Sequence, residues 1–256
     1  MKRTFLQKNT TTDEQNTCEF HPAEILLKER SFDPKDIQQV KSFIRMKNII
    51  ILLLLLALSF SVSAQKTELF NGKNLDNWKM VVSDESVKPE SIFSVADGVI
   101  KITGATNGYL RTKEVYTNYQ LHLEWRWTEK PTNSGVLLHV NGYDFWPNAV
   151  EAQLQNQNAG DIVLIGYGLT AIIGDSTYFN SNKRFVIVPK KHEGIEKPAG
   201  EWNSYDITCS EDQVSISVNN VLQNEGKKLS LTGGSIGLQS EGSPIEFRNI
   251  YIEKIK

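Results

Sequence analysis

YQLHLEWRW, residues 119–127, alternates without a break. In an extended chain Tyr119, Leu121, Leu123, Trp125 and Trp127 fall on one face, and Gln120, His122, Glu124 and Arg126 on the other. A period of two sustained this long reads as a strand with one buried face and one polar face. Working outward, the same pattern recurs in shorter runs. Ser91 to Val95 leads through the turn pair Asp97-Gly98 into Val99 to Thr103. Val136 to Val140 is a compact strand followed by Asn141-Gly142, a type I′ turn pair. Ala149 to Gln155 is another strand, and Val214, Ile216 and Val218 alternate up to the turn Asn219-Asn220. Ser235 to Gln239 and Ile245 to Ile255 complete the set. Helical periodicity is nearly absent beyond Gln65. Many short strands without a βαβ rhythm imply an all-β domain of two packed antiparallel sheets, with a closed barrel as the alternative. Gly160 to Pro198 is less regular and is expected to carry long loops, the kind of segment on which sites are built.

Ahead of this domain stands MKNIIILLLLLALSFSVSA, residues 46–64. Lys47 gives a short positive start, Ile49 to Leu58 is unbroken and apolar, and Val62-Ser63-Ala64 offers a small-x-small cleavage site. The apolar run is about half of the roughly 20 residues a membrane span needs. A secretory signal peptide is therefore expected, with the exported protein beginning at Gln65 and acting in a periplasm or outside the cell. No Cys follows the run, so no lipid anchor is indicated. Residues 1–45 are expected to be a gene-model extension or a disordered tail, with Met46 the working start. The alternative is a cytoplasmic tail ahead of a signal anchor.

Residues 65–256 carry 19 Lys/Arg against 23 Asp/Glu with no basic stripe, which excludes a nucleic-acid partner. Of the two cysteines, Cys18 precedes the export segment and Cys209 lies in the alternating run Tyr205 to Cys209, where it reads as a buried strand residue.

Six motifs in order resemble one family. They are ELFNGKNLDNW at 68–78, Asp97-Gly98 with its apolar pair, TNSGV at 132–136, and WPNAVEAQLQNQNAGD at 146–161. KPAGEWN at 197–203 and FRNI at 247–250 follow. The series resembles the 3-keto-disaccharide hydrolase domain family over nearly all of residues 65–256. The resemblance implies a concanavalin A-like jelly-roll sandwich of the lectin and glucanase type. It also implies action on sugars oxidised at carbon 3, through a 3-keto-glucoside 1,2-lyase and hydratase reaction. The chain departs from the pattern at Ser240-Glu241-Gly242, where relatives carry an Asp-His or similar pair, and at His139, where Arg is frequent.

A 3-keto group acidifies the neighbouring C2–H. The chemistry needs a base at C2, positive charge or donors on the enolate oxygen, and an acid for the leaving oxygen. Glu151 is the first candidate, as base or acid. Glu124 and His139 follow, with Arg126 for the oxyanion or for positioning the sugar. Gln153, Asn133, Asn158 and His122 are candidates for contacting the substrate, and Trp146 for stacking on a sugar ring. Each has a plainer reading: Glu124 and Arg126 as a solvated ion-paired face, His139 as a structural histidine, and Asn133 and Asn158 as turn formers. Trp78, Trp125 and Trp202 read as core.

No cofactor is required by this scheme. A divalent metal remains open, because His122, Glu124, His139 and Glu151 could supply ligands from neighbouring strands, although no HExxH or CxxC spacing occurs. Ordinary double-displacement hydrolysis fits poorly, since Glu151-Ala-Gln153-Leu-Gln155-Asn156 offers one carboxylate and three amides. The expected partner is an oligosaccharide or glycoside prepared upstream by a sugar oxidoreductase. A non-catalytic carbohydrate-binding module and an accessory surface protein are the competing readings.

Overall fold

The computed structural model describes residues 33–57, 65–142 and 145–255. The chain divides into two units, Met1–Val62 and Ser63–Lys256.

The first unit contributes one described element, helix α1 (Pro34–Ala57). Asp33 starts it: its carboxylate accepts from Lys35 N at 2.8 Å, and Pro34, whose missing N–H costs nothing there, opens the first turn. The helix runs through Met46 without a break, so residues 34–45, expected to be an extension or a disordered tail, continue into the apolar run. Among the described residues no helix is long and apolar enough to cross a membrane. The expected cleavage site at 62–64, and Cys18, lie outside the described residues.

The second unit is all β. In chain order its strands are β1 (Lys66–Glu68), β2 (Trp78–Val82), β3 (Phe93–Ala96), β4 (Val99–Ile102), β5 (Gly108–Thr112) and β6 (Tyr119–Trp127). There follow β7 (Gly135–Asn141), β8 (Asn148–Gln153), β9 (Ile162–Ile165), β10 (Thr170–Ile173), β11 (Ser176–Phe179) and β12 (Phe185–Val188). The last are β13 (Asn203–Ser210), β14 (Gln213–Val218), β15 (Val221–Lys227), β16 (Ser235–Ser240) and β17 (Ile245–Lys254). They form two sheets, antiparallel throughout. One has ten strands in the order β11-β10-β15-β14-β13-β6-β17-β4-β3, with β1 on β17, and the other seven in the order β12-β9-β8-β7-β16-β5-β2. The arrangement is a jelly-roll sandwich, not a closed barrel.

β6 sits at the centre of the larger sheet and keeps the parity read from its sequence. Its five odd-numbered side chains are all buried at 2 % exposure or less, facing the second sheet. Burial on this scale contributes about 1.5–3 kcal/mol per large side chain. Trp125 meets Tyr205 of β13 with ring centroids 4.7 Å apart. Tyr205 then reaches across to the smaller sheet: its hydroxyl accepts from Gly160 N at 2.7 Å and donates to the Gln153 carbonyl. That bond braces the end of β8, the strand that carries Glu151. Cys209, also inward, is fully buried, and burial pushes its thiol up to about 12.

Two local expectations change. Asn141-Gly142 does not close a two-residue hairpin, because Asn141 pairs with Asn148. Residues 160–198, expected to be loops, hold the four short strands β9 to β12. The run IVLI of β9 is buried on both faces, so it shows no alternation to read.

Candidate active site

On β8 the side chains of Val150, Ala152 and Leu154 enter the core between the sheets. Ala149, Glu151 and Gln153 therefore face outward from the seven-stranded sheet. Pairing register surrounds Glu151 on that outer face. Val163 of β9 is its neighbour on one side and Leu137 of β7 on the other, and beyond Leu137 come Gly237 of β16 and Arg111 of β5. The next row holds Gln153, Gly135, Gln239 and Tyr109.

Gly135 leaves this face without a side chain beside Glu151, and Gly237 leaves a second gap beyond Leu137. The carboxyl fills the first gap: a Cβ on Gly135 would lie 1.9 Å from Glu151 Oε1. A Cβ on Gly237 would press to 3.1 Å against Leu137 Cβ. The carboxyl thus rests on bare backbone at Gly135, between the side chains of Leu137 and Val163.

Glu151 is 4 % exposed, and its Oε1 has no hydrogen-bond partner within the protein. Burial raises its pKa to about 8, with the charge of Glu241 adding to the rise. At neutral pH the carboxyl is therefore mostly protonated. Glu241 follows the end of β16, bridged to Asn133, and accepts from Gln239 Nε2 at 2.9 Å. Gln239 is held in turn by Ser134, whose hydroxyl donates to its carbonyl at 2.8 Å. Gln239 Oε1 and Asn133 Oδ1, like Glu151 Oε1, are buried with no partner in the protein. Three acceptor oxygens converging on one region without donors suit a ligand rich in hydroxyl groups.

The turn after β7 folds toward this face. Arg111 donates from Nη1 to the Gly142 carbonyl at 2.6 Å and from Nη2 to Ser235 Oγ at 3.0 Å. Arg184 donates to the Trp146 carbonyl. Trp146 is half-buried, 4.8 Å from Phe145 and edge-on to Phe185 at 5.4 Å between ring centroids.

The other sequence candidates divide. Gln153 turns its side-chain oxygen onto the backbone, accepting from Leu154 N and Gln155 N at 3.0 and 3.1 Å. Asn158 donates to Gln155 at 3.0 Å within the following turn. His139, two residues after Leu137 and so of the same parity in a regular strand, lies elsewhere. The register shifts between Leu138 and Asn141, and His139 takes a positive φ of 54°. This bulge turns its ring edge-on to Tyr119 of the core at 5.8 Å, where Nδ1 bonds the Leu231 carbonyl at 3.0 Å. Burial holds its pKa below the usual imidazole value.

His122, Glu124 and Arg126 do share one face, but it is the outer face of the ten-stranded sheet. There His122 Nδ1 meets Asp206 at 2.7 Å, Arg248 Nε donates to Glu124 at 2.6 Å, and Arg126 Nε donates to Glu246 at 2.8 Å. Trp202, expected in the core, is half-buried under the guanidiniums of Arg248 and Arg126, 3.9 and 4.6 Å from its ring centroid. Burial pushes the Glu124 carboxyl up, but bonds from Asn249 and Arg248 outweigh it and hold the group below the usual range. These residues do not meet Glu151. The four-residue metal set of His122, Glu124, His139 and Glu151 is likewise divided between the sheets. Among the described residues no cluster of three or more His, Cys, Asp or Glu forms.

Sequence reasoning missed Glu241, Gln239, Arg111 and Tyr109. The Tyr-x-Arg alternation of β5 places the latter two on one face, but nothing in the sequence places that face beside β8.

The two antiparallel sheets define a concanavalin A-like jelly-roll sandwich. The family of 3-keto-α-glucoside-1,2-lyase-like domains matches residues 65–253, and the chain belongs to it. Two solved structures from Parabacteroides distasonis, both named provisionally as glycosyl hydrolases, share the fold. One is 22 % identical, with 75 % of this chain and 94 % of that chain covered at a TM-score of 0.55. The other is 23 % identical, with 75 % and 100 % covered at 0.53. A β-glucanase from Bacillus licheniformis matches at 12 % identity, with 77 % and 100 % covered and a TM-score of 0.48. No curated protein matches the chain.

Proposed function

We propose that the protein is an exported enzyme that cleaves 3-keto-glycosides by elimination and rehydration. The observation that carries this reading is Glu151, a buried carboxyl raised to about 8, set on a glycine floor beside the Glu241 carboxylate. One group holds a proton at neutral pH and the other faces it as a base, the division of labour that elimination requires.

In the first step Glu241 takes the proton from C2. The electron pair moves into the enolate whose oxygen is the former 3-keto oxygen. The C1–O bond then breaks as Glu151 protonates the leaving oxygen, giving a free alcohol and a 2-hydroxy-glucal ketone. Rehydration runs in reverse with water: Glu151 takes its proton as oxygen adds to C1, and Glu241 returns a proton to C2. Arg111, on the same face, provides positive charge toward the enolate oxygen. The orphaned oxygens of Gln239 and Asn133 accept from ring hydroxyls. An oxidoreductase acting on C3 must supply the substrate. The apolar segment in α1 supports export.

The test is release of the aglycone from a 3-keto-glucoside in deuterated water. Uptake of deuterium at C2 is the expected outcome. Binding without release or exchange would instead make the protein a carbohydrate-binding module.

A further inference from the structure

The ladders that join β8, β7 and β16 end together, close to the two carboxyls. β7 begins at Gly135, β8 ends at Gln153 and β16 at Ser240. β7 lies between the other two, so the residues just before it, Thr132 to Ser134, run between the segment after β8 and the segment after β16. Past the ladder ends this short stretch supplies the bonds. Toward β8, Leu154 N donates to the Ser134 carbonyl at 2.8 Å and Asn156 N to the Thr132 carbonyl at 2.9 Å. Toward β16, the Ser134 hydroxyl donates to the Gln239 carbonyl at 2.8 Å, Asn133 bridges Glu241, and Ser243 N donates to Thr132 Oγ1 at 2.7 Å. Gly242 closes on the same hydroxyl: a Cβ there would lie 2.3 Å from Thr132 Oγ1. The far side of the turn is held as well. Gly242 N donates to the Gly104 carbonyl at 3.0 Å, and the Ser240 hydroxyl to the Thr106 carbonyl at 2.8 Å. The main chain that carries Glu241 is thus gripped between Thr132 and residues 104–106, while the Glu241 side chain extends to Gln239.

Resting on the function proposed above, we infer that Thr132 is a positioning residue whose hydroxyl sets where Glu241 stands relative to Glu151. It thereby lets the base meet C2 while the acid meets the glycosidic oxygen. The main-chain bonds of this segment survive a change of side chain, but the bond at Oγ1 needs Thr or Ser. A methyl in its place keeps about 3.5 Å from a neighbouring heavy atom. The turn would then move by about 1 Å, away from β7 and so away from β8 on its other side. A displacement of about 1 Å between groups acting on one substrate costs about 100-fold in rate. It also changes the charge at the acid. The residues flanking Glu151 on its own face are Ala149 and Gln153 of β8, Val163 of β9, and Leu137 and Gly135 of β7, none of them charged. Arg111, farther along the row, is turned to the Gly142 carbonyl and Ser235. The charge that adds to the effect of burial on Glu151 is that of Glu241, and withdrawing it lets Glu151 ionise more readily.

Two substitutions test this. Thr132→Val keeps the shape of the side chain and removes the acceptor, and Thr132→Ser restores it. On a 3-keto-glucoside, Thr132→Val is expected to lower kcat by about 10- to 100-fold with KM within about twofold of the wild type. Thr132→Ser should stay within about threefold in both. The pH profile of kcat/KM separates positioning from a general loss of structure. Its alkaline limb, set in the wild type by the Glu151 proton at about 8, should move to lower pH in Thr132→Val and stay in place in Thr132→Ser. Wild-type turnover in Thr132→Val, an unmoved alkaline limb, or equal losses in the two variants would overturn the role of Thr132 and leave the enzyme reading standing. If the wild type turns over no 3-keto-glucoside, the enzyme reading falls and the positioning role with it.

Discussion

The outer faces of the two sheets carry similar residues in opposite conditions. On the larger sheet every charged side chain of β6 has found its counterpart: Arg126 with Glu246, Glu124 with Arg248 and Asn249, and His122 with Asp206. On the smaller sheet Glu151 lies buried with an oxygen unpartnered, next to a second carboxylate. The first face is electrostatically complete, and its partly exposed pairs hold the sheet surface together weakly. The second stores an unfavourable arrangement that a ligand or a proton relieves. An uncompensated group in a packed setting is a better pointer to chemistry than a rich collection of paired charges.

That contrast can be broken most severely at Glu151. Glu151→Gln is expected to lower turnover of a 3-keto-glucoside by about 100-fold or more, and Glu124→Gln by less than about threefold. Comparable losses in aglycone release would erase the distinction between the faces. Next in size is the glycine floor. Gly135→Ala should cost about 1–3 kcal/mol in urea unfolding, because the added methyl and the Glu151 carboxyl claim one space.

Titration sharpens the comparison further. The folded-state pKa of Glu151 lies above its ordinary 4.5, so the native state holds a proton that the unfolded chain releases. Its contribution to stability is complete below about pH 4.5 and is lost as pH rises through about 8. Across that window the slope is up to about 1.4 kcal/mol per pH unit. Glu151→Gln should flatten it, seen as a gain in relative stability at pH 8 over pH 5 in paired melts. The smallest effect belongs to the larger sheet. Arg248→Ala should cost less than about 1 kcal/mol, and added salt should shrink the difference. A larger, salt-insensitive loss would show that this face is more than a solvated surface.

Much of this was legible in the residues. The alternation of β6 placed its two faces correctly, and the family motifs carried the jelly roll. Parity, however, assigns a side chain to a face and not to a sheet. Glu124 and Arg126 stood close behind Glu151, and His122 beside them as a substrate contact, until the strand order separated the two faces. His139 was misplaced by one extra residue, since a bulge with positive φ reverses parity without any glycine to announce it. Gln239 and Glu241 acquire meaning only through β16 lying beside β7, a pairing between segments about a hundred residues apart that no local pattern encodes.

The bare floor at Gly135 also bears on how such a site can change through inheritance. Glu151 rests against Gly135, a position that admits no side chain, so drift there is closed. Its electrostatic neighbour, Glu241, follows the end of strand β16, where no such packing confines it. One half of the pair is held by geometry and the other is open to substitution. A replacement at residue 241 would change the charge beside Glu151 without disturbing the sandwich that presents it.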